Sequence, residues 1–280
     1  QAEACEAVVR LSGKPRPRVL YLGTASYDLP GPLARQTARF AEAGCPVSPL
    51  LLAGAEPAPA DVRRAFEGAD VVVASGGNTL FALGRWSLLG IGAHLRRAME
   101  RGAVLAGGSA GAICWFDAGH SDSMDPASYR DAMLRKADEG GDESSQAPTS
   151  AREAQPWEYI RVPCLGFLPG LCCPHHDRVQ SNGVARSQDF DAMLKRHPGE
   201  TGLGIDHWAA LVVEGERFSV LSLEGRDGPV DGGGSAEGRG RPGVWRKRVV
   251  GGAVRAEAAA SSGLLRELLS PAAYVTEDPR

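Results

Sequence analysis

The sequence predicts an α/β fold, a mostly parallel sheet sandwiched by helices with additional antiparallel strands toward the C-terminus. Short β-branched apolar runs alternate with segments of helical period through the first 110 residues, the pattern of a parallel sheet buried under helices on both faces. Glycine-rich turns follow two of those strands, at 76–78 and 107–111, at the carboxyl edge where such sheets collect functional groups. Four extended runs then follow Gly202, at 202–206, 209–213, 217–223 and 244–250, and supply the antiparallel part.

Each element has its own signal. Residues 18–26 (RVLYLGTAS) and 47–52 read as buried strands, and 31–44 carries apolar residues at helical spacing up to Gly44. Residues 58–69 predict a short helix capped near Asp61. Asp70–Ser75 (DVVVAS) predicts a third strand, 79–101 one longer helix, and Ala103–Ala106 (AVLA) a fourth strand ending at Gly107. Segments 125–156 and 225–243 are polar or rich in glycine, with little apolar matter to offset ordering entropy, and predict mobile loop insertions in a single domain spanning 1–280.

Composition narrows the function. The chain has 280 residues and 43% hydrophobic content, enough for one large core. With 31 Lys+Arg against 34 Asp+Glu the formal charge is -3, which excludes a basic nucleic-acid surface. No run approaches the roughly 20 apolar residues that span a bilayer. Six cysteines without a CxxC pair give neither a zinc site nor a disulfide framework, so no metal is expected and a reduced, cytoplasmic compartment fits. The chain opens on Gln1 and not Met, so its native start and any targeting peptide are expected upstream.

The chemistry concentrates at Gly107-Gly108-Ser109-Ala110-Gly111. It sits between a strand and an apolar helical run (AICWF), the setting of a nucleophile elbow. Small neighbours let a strained turn lift the hydroxyl clear of the backbone, and the helix start aims N–H groups at a developing oxyanion. Ser75-Gly76-Gly77-Asn78-Thr79 repeats the strand–turn–helix setting, and its glycines allow a second backbone N–H to approach. It lacks a Walker lysine and any GxGxxG, so it is not a nucleotide cradle. Among six histidines, His94 and His197 lie in helical patterns. His175 and His176 follow the apolar segment 165–173 and Pro174, where a strand end would bring one of them to the sheet edge that carries Ser109.

The segments SGGNTLFAL (75–83), GGSAGAICW (107–115), CPHHD (173–177) and GLGID (202–206) resemble those of the peptidase E family, serine-type aspartyl dipeptidases related to cyanophycinase. The resemblance spans about 18–223 in order, apart from the 125–156 insertion. It implies a fold like class I glutamine amidotransferases, with Ser109 as nucleophile, His175 as base, and Gly77 and Ala110 N–H groups as the oxyanion hole. It implies no cofactor, a small peptide substrate beginning with aspartate, and is compatible with a homodimer. Asn78 and Arg186 become the expected substrate-binding residues, Arg186 to grip a side-chain carboxylate, with Arg178 as second choice.

The family's third member is commonly a Glu, and that position here holds His207. Three readings remain open at this stage: His207 itself, Asp206 on the neighbouring face, or Asp122 or Asp117 downstream of the nucleophile. Rival activities are an α/β-hydrolase esterase using His207 as base, and a non-hydrolytic binding protein on the same scaffold. An amidotransferase would need Cys where the turn has Ser109.

Overall fold

The computed structural model describes residues 2–138, 156–223 and 241–269. In chain order the elements are α1 (Ala2–Leu11), β1 (Val19–Leu22), α2 (Pro30–Glu42), β2 (Val47–Pro49), α3 (Pro59–Gly68), β3 (Val71–Ala74), α4 (Thr79–Leu88), α5 (Ile91–Glu100), β4 (Val104–Gly107), α6 (Ala110–Ile113), β5 (Phe116–Ser121), α7 (Arg130–Asp138), β6 (Ile160–Pro163), β7 (Leu168–Pro174), α8 (Arg186–Arg196), β8 (Gly202–Ile205), β9 (Ala209–Glu214), β10 (Arg217–Ser222), β11 (Val244–Val250), β12 (Ala253–Ala258), β13 (Ser262–Leu264) and α9 (Leu265–Leu269). The chain divides into two compact units. The first comprises residues 1–114 and 121–162, the second 115–120 and 163–280.

In the first unit the strands run in the order β2-β1-β3-β4, all parallel. Alternation along each strand sends side chains to opposite faces, and every residue of β1 and β3 is buried, so both faces are covered. On one face Val19, Tyr21, Val71 and Val73 pack with Cys5 of α1 and Phe40 of α2. The predicted helix over 79–101 is two helices, because Gly90 takes φ 66° and breaks it between α4 and α5. The predicted cap of α3 also moves: Ala58 is the N-cap without a side-chain bond, Pro59 opens the helix, and Asp61 lies within the first turn, paired with Arg64. The 125–156 segment is not all loop, since 126–128 form a 3-10 turn and α7 follows. Its remainder, 139–155, and nearly all of 225–243 lie outside the described residues.

In the second unit β5, β7 and β8 are parallel neighbours, and β11 and β12 continue the sheet antiparallel. β9 and β10 form a hairpin extended by β13 in a separate sheet. The β11–β12 turn is Gly251-Gly252, both at positive φ, as a two-residue hairpin requires. Helix α8 packs on β11 and β12. It also lies close over β8, because a Cβ at Gly202 would meet Leu194 and Phe190 of that helix at 2.8 Å. The apolar helical run predicted after Ser109 ends early, since α6 is a single turn and Phe116 already begins β5. Among the described residues no helix is long and apolar enough to cross a membrane.

Asp70 ties the start of β3 to the segment before β1. Burial alone would raise its carboxyl, but hydrogen bonds from Lys14 Nζ (2.7 Å) and the Arg18 backbone N–H (2.9 Å), with the Arg18 guanidinium, hold it at about 2. A depressed carboxylate contributes stability that is present above its ordinary value near 4 and is lost as pH falls toward 2. Lys14 and Arg18 are half-exposed, so after screening the expected contribution is about 1 kcal/mol. Asp70→Asn is expected to lower the urea-unfolding free energy by that amount at pH 7, with the gap to wild type closing by pH 2.

Candidate active site

Each unit carries one half of the predicted chemistry. In the first, β4 ends at Gly107 and the chain turns into α6 through Ser109 at φ 54°, ψ -120°. Few L-residues adopt that conformation, which costs on the order of 1–3 kcal/mol and persists only where the surroundings enforce it. Backbone packing enforces it here. A Cβ at Gly111 would lie 2.1 Å from the Ala74 carbonyl oxygen, and one at Gly107 2.5 Å from that of Gly111. The two glycine turns therefore meet backbone to backbone, with Gly76 facing Gly108 and Ser109.

Gly77 takes φ 132°, and a Cβ there would sit 2.2 Å from the Ala25 carbonyl oxygen. That same carbonyl accepts the Asn78 N–H at 2.7 Å, which fixes the turn. Among the described residues, the N–H groups of Gly77 and Ala110 have no acceptor. These are the two amides expected to form the oxyanion hole. Gln36 of α2 adds a support that no sequence motif announces: its Oε1 accepts the Gly76 N–H at 3.1 Å and the Tyr21 hydroxyl at 3.3 Å.

Asn78 requires a correction. Its Oδ1 accepts the Phe81 N–H as the N-cap of α4, and its Nδ2 donates to the Ser123 carbonyl and Ser128 Oγ. The side chain is 5% exposed with both ends engaged, so Asn78 builds the turn, where the sequence suggests a substrate contact. Asp122 belongs to the tight turn after β5, where its carbonyl accepts the Asp125 N–H.

In the second unit His175 follows the last residue of β7 at φ 50° and is half-buried. Its Nδ1 lies 2.7 Å from Nδ1 of His207, with ring centroids 4.9 Å apart. One nitrogen of such a pair must carry the proton and the other the lone pair. If His175 donates, its Nε2 is left with the lone pair, the tautomer of a general base whose Nδ1 meets an orienting group. Trp208 packs edge-on against the His207 ring at 4.4 Å, and the His207 backbone N–H donates to Asp177 Oδ1 at 2.7 Å.

Asp206 is committed elsewhere. Its Oδ1 is 3.3 Å from His176 Nδ1, and its Oδ2 accepts Trp245 Nε1 and the Gly243 N–H, both at 2.9 Å. Asp117 on β5 accepts the Gly170 N–H at 2.9 Å. Of the third members considered within this unit, His207 is the one set against His175.

Arg186 also departs from expectation. It is fully buried, and its Nη2 donates to the His120 backbone carbonyl at 2.7 Å, so it serves the interior of its unit. His120, equally buried, lies 2.8 Å from Asp189 and 3.7 Å from Cys173 Sγ. The His120 hydrogen bond pulls the Asp189 carboxyl below its usual range, whereas burial pushes the Cys172 thiol well up. His120 and Cys173 are buried, whereas the Asp189 side chain keeps 27% of its surface exposed. Arg178 is one-third exposed, with its guanidinium 6.0 Å from the Trp208 ring centroid. Among the described residues no cluster of His, Cys, Asp or Glu could hold a metal ion.

The model for peptidase family S51 matches residues 1–221. A Trypanosoma brucei brucei protein named G2/mitotic-specific cyclin-1 is 32% identical over 281 residues, covering 93% of this chain and 78% of that one. The uncharacterized peptidase YgaJ of Bacillus subtilis (strain 168) is 32% identical over 181 residues, covering 65% of this chain and 64% of its own. Two solved structures share the fold. One is a peptidase from an acI-B1 Actinobacterium (TM-score 0.55, 13% identity, 94% of this chain and 90% of that one). The other is a Listeria monocytogenes EGD-e protein described as a peptidase E (TM-score 0.52, 14% identity, 78% and 93%). With its strained serine turn and a family match that covers most of its length, the chain belongs to peptidase family S51, the peptidase E family.

Proposed function

We propose that the protein is a serine exopeptidase that removes an N-terminal aspartate from short peptides through an acyl-enzyme on Ser109. The observation that carries this reading is Ser109 at φ 54°, ψ -120°, in a turn beside two amides that have no acceptor among the described residues. In this reading His175 takes the Ser109 proton as the hydroxyl attacks the peptide carbonyl. The N–H groups of Gly77 and Ala110 receive the negative charge on the tetrahedral oxygen. The imidazolium then protonates the leaving amine, and water, deprotonated by the same ring, releases the aspartate. His207 holds the His175 tautomer as a neutral acceptor. With Arg186 enclosed, the carboxylate of the substrate side chain falls to Arg178, the partly exposed cation beside the His207–Trp208 pair.

Ser109→Ala is expected to abolish both cleavage of aspartyl 4-nitroanilide and labelling by a fluorophosphonate, with an unchanged thermal midpoint; turnover by that variant would remove Ser109 from the mechanism. His207→Ala should lower kcat by about 100-fold, short of the roughly 10⁴ lost when a triad's charged acid goes. Asp206→Asn, acting on His176, should cost much less in the same assay. Arg178→Ala is expected to raise KM for the aspartyl substrate about 10-fold or more and leave that for an alanyl analogue nearly unchanged; equal effects on both would rule out carboxylate recognition by Arg178.

A further inference from the structure

His207 is an unusual choice for an orienting residue because a neutral imidazole offers a single lone pair. A carboxylate presents two oxygens and tolerates small displacements, whereas the Nδ1–Nδ1 contact is kept only if the ring stays in register. Control of that register therefore passes to the backbone of residue 207. There the Asp177 carboxylate takes hold, its Oδ1 accepting the 207 N–H at 2.7 Å. The Asp177 side chain is 4% exposed, and its Oδ2 lies 3.7 Å from Arg178 Nε. Arg178 in turn stands over Trp208, which backs the His207 ring. The turn at 175–177 and the turn at 206–208 are thus braced ring to ring, carboxylate to amide, and through His176 on Asp206.

We infer that Asp177 is a positioning residue for the His175–His207 pair, gripping the His207 backbone so that the two rings keep their hydrogen bond. His175 itself sits at φ 50°, a conformation that persists only if its surroundings hold the turn. The effect on rate rests on the serine-peptidase reading; the effect on the ring pair does not. The test compares full-length wild type with Asp177→Asn, which keeps an acceptor oxygen, and Asp177→Ala, which removes it. Two readouts are used: kcat and KM on aspartyl 4-nitroanilide, and the low-field proton NMR signal of the shared imidazole N–H.

Asp177→Ala is expected to lose the low-field signal and about 10- to 100-fold in kcat, with KM within about twofold, as misplaced catalytic groups do. Asp177→Asn should restore both. If the alanine variant does not fold, Asp177→Ser replaces it, since the shorter side chain cannot span to the 207 amide. A wild-type signal and kcat in the alanine variant would overturn the inference, as would an asparagine variant as damaged as alanine. Activity that survives Ser109→Ala while the signal still depends on Asp177 would overturn the serine reading and uphold the positioning role.

Discussion

The spacing of two adjacent parallel strands is the constraint from which the Ser109 turn follows. β3 and β4 pair up to Ala74 and Gly107, so the loops leaving them start only a strand's width apart, about 4.8 Å. Both must turn over the same sheet edge, and their backbones come closer than any side chain allows. Gly111 against Ala74, Gly107 against Gly111 and Gly77 against Ala25 are contacts that a Cβ would close to 2.1–2.5 Å. With those three positions confined to glycine, the one residue that carries a hydroxyl between them takes up the curvature, and Ser109 stands at positive φ. Among the described residues the amides of Gly77 and Ala110, in those same two turns, have no acceptor.

The second unit shows a matching constraint from strand parity. Consecutive residues leaving β7 and β8 face opposite ways, and the structure sorts them into two pairs, His175 with His207 and His176 with Asp206. The latter is buried and anchored to β11 through Trp245 and Gly243. A Cβ at position 204 would press into the His176 ring at 2.5 Å, so Gly204 is what admits that ring. An acid at 206 therefore serves the buried histidine, and shifting it to His175 would need a one-residue slip that turns the whole strand over.

Much of this was legible in the sequence because it depends on local chemistry. Glycine clusters directly after β-branched runs mark turns that need positive φ or close approach, and Gly107–Gly111 and Gly76–Gly77 are such turns. Strand ends were visible where apolar runs stop, which placed His175 correctly after β7. The misreadings all involve partners distant in sequence. Asn78 reads as a polar residue at a site until its bonds to Ser123 and Ser128 are seen, and Arg186 reads as a surface cation until His120 is found in front of it. Gln36 gave no signal, since an amide on an amphipathic helix looks the same whether or not it supports a turn. The break at Gly90 was missed because the apolar period continues across it.

A histidine in place of an acid changes what the partner of the His175 ring can do. At about 4 Å and an effective dielectric of 20, a carboxylate would favour the imidazolium of His175 by about 4 kcal/mol. A neutral ring supplies only a dipole. What it retains is orientation, since accepting a hydrogen bond from the Nδ1–H of His175 fixes that ring's tautomer, as a carboxylate would. The pair is also confined to one shared proton, because a second would leave two N–H groups facing each other across 2.7 Å. A contact made through a single lone pair tolerates little ring movement, so the demand falls on whatever holds the two turns together. The Asp177 bond to the His207 amide meets that demand at the backbone, and the Trp208 packing meets it at the ring.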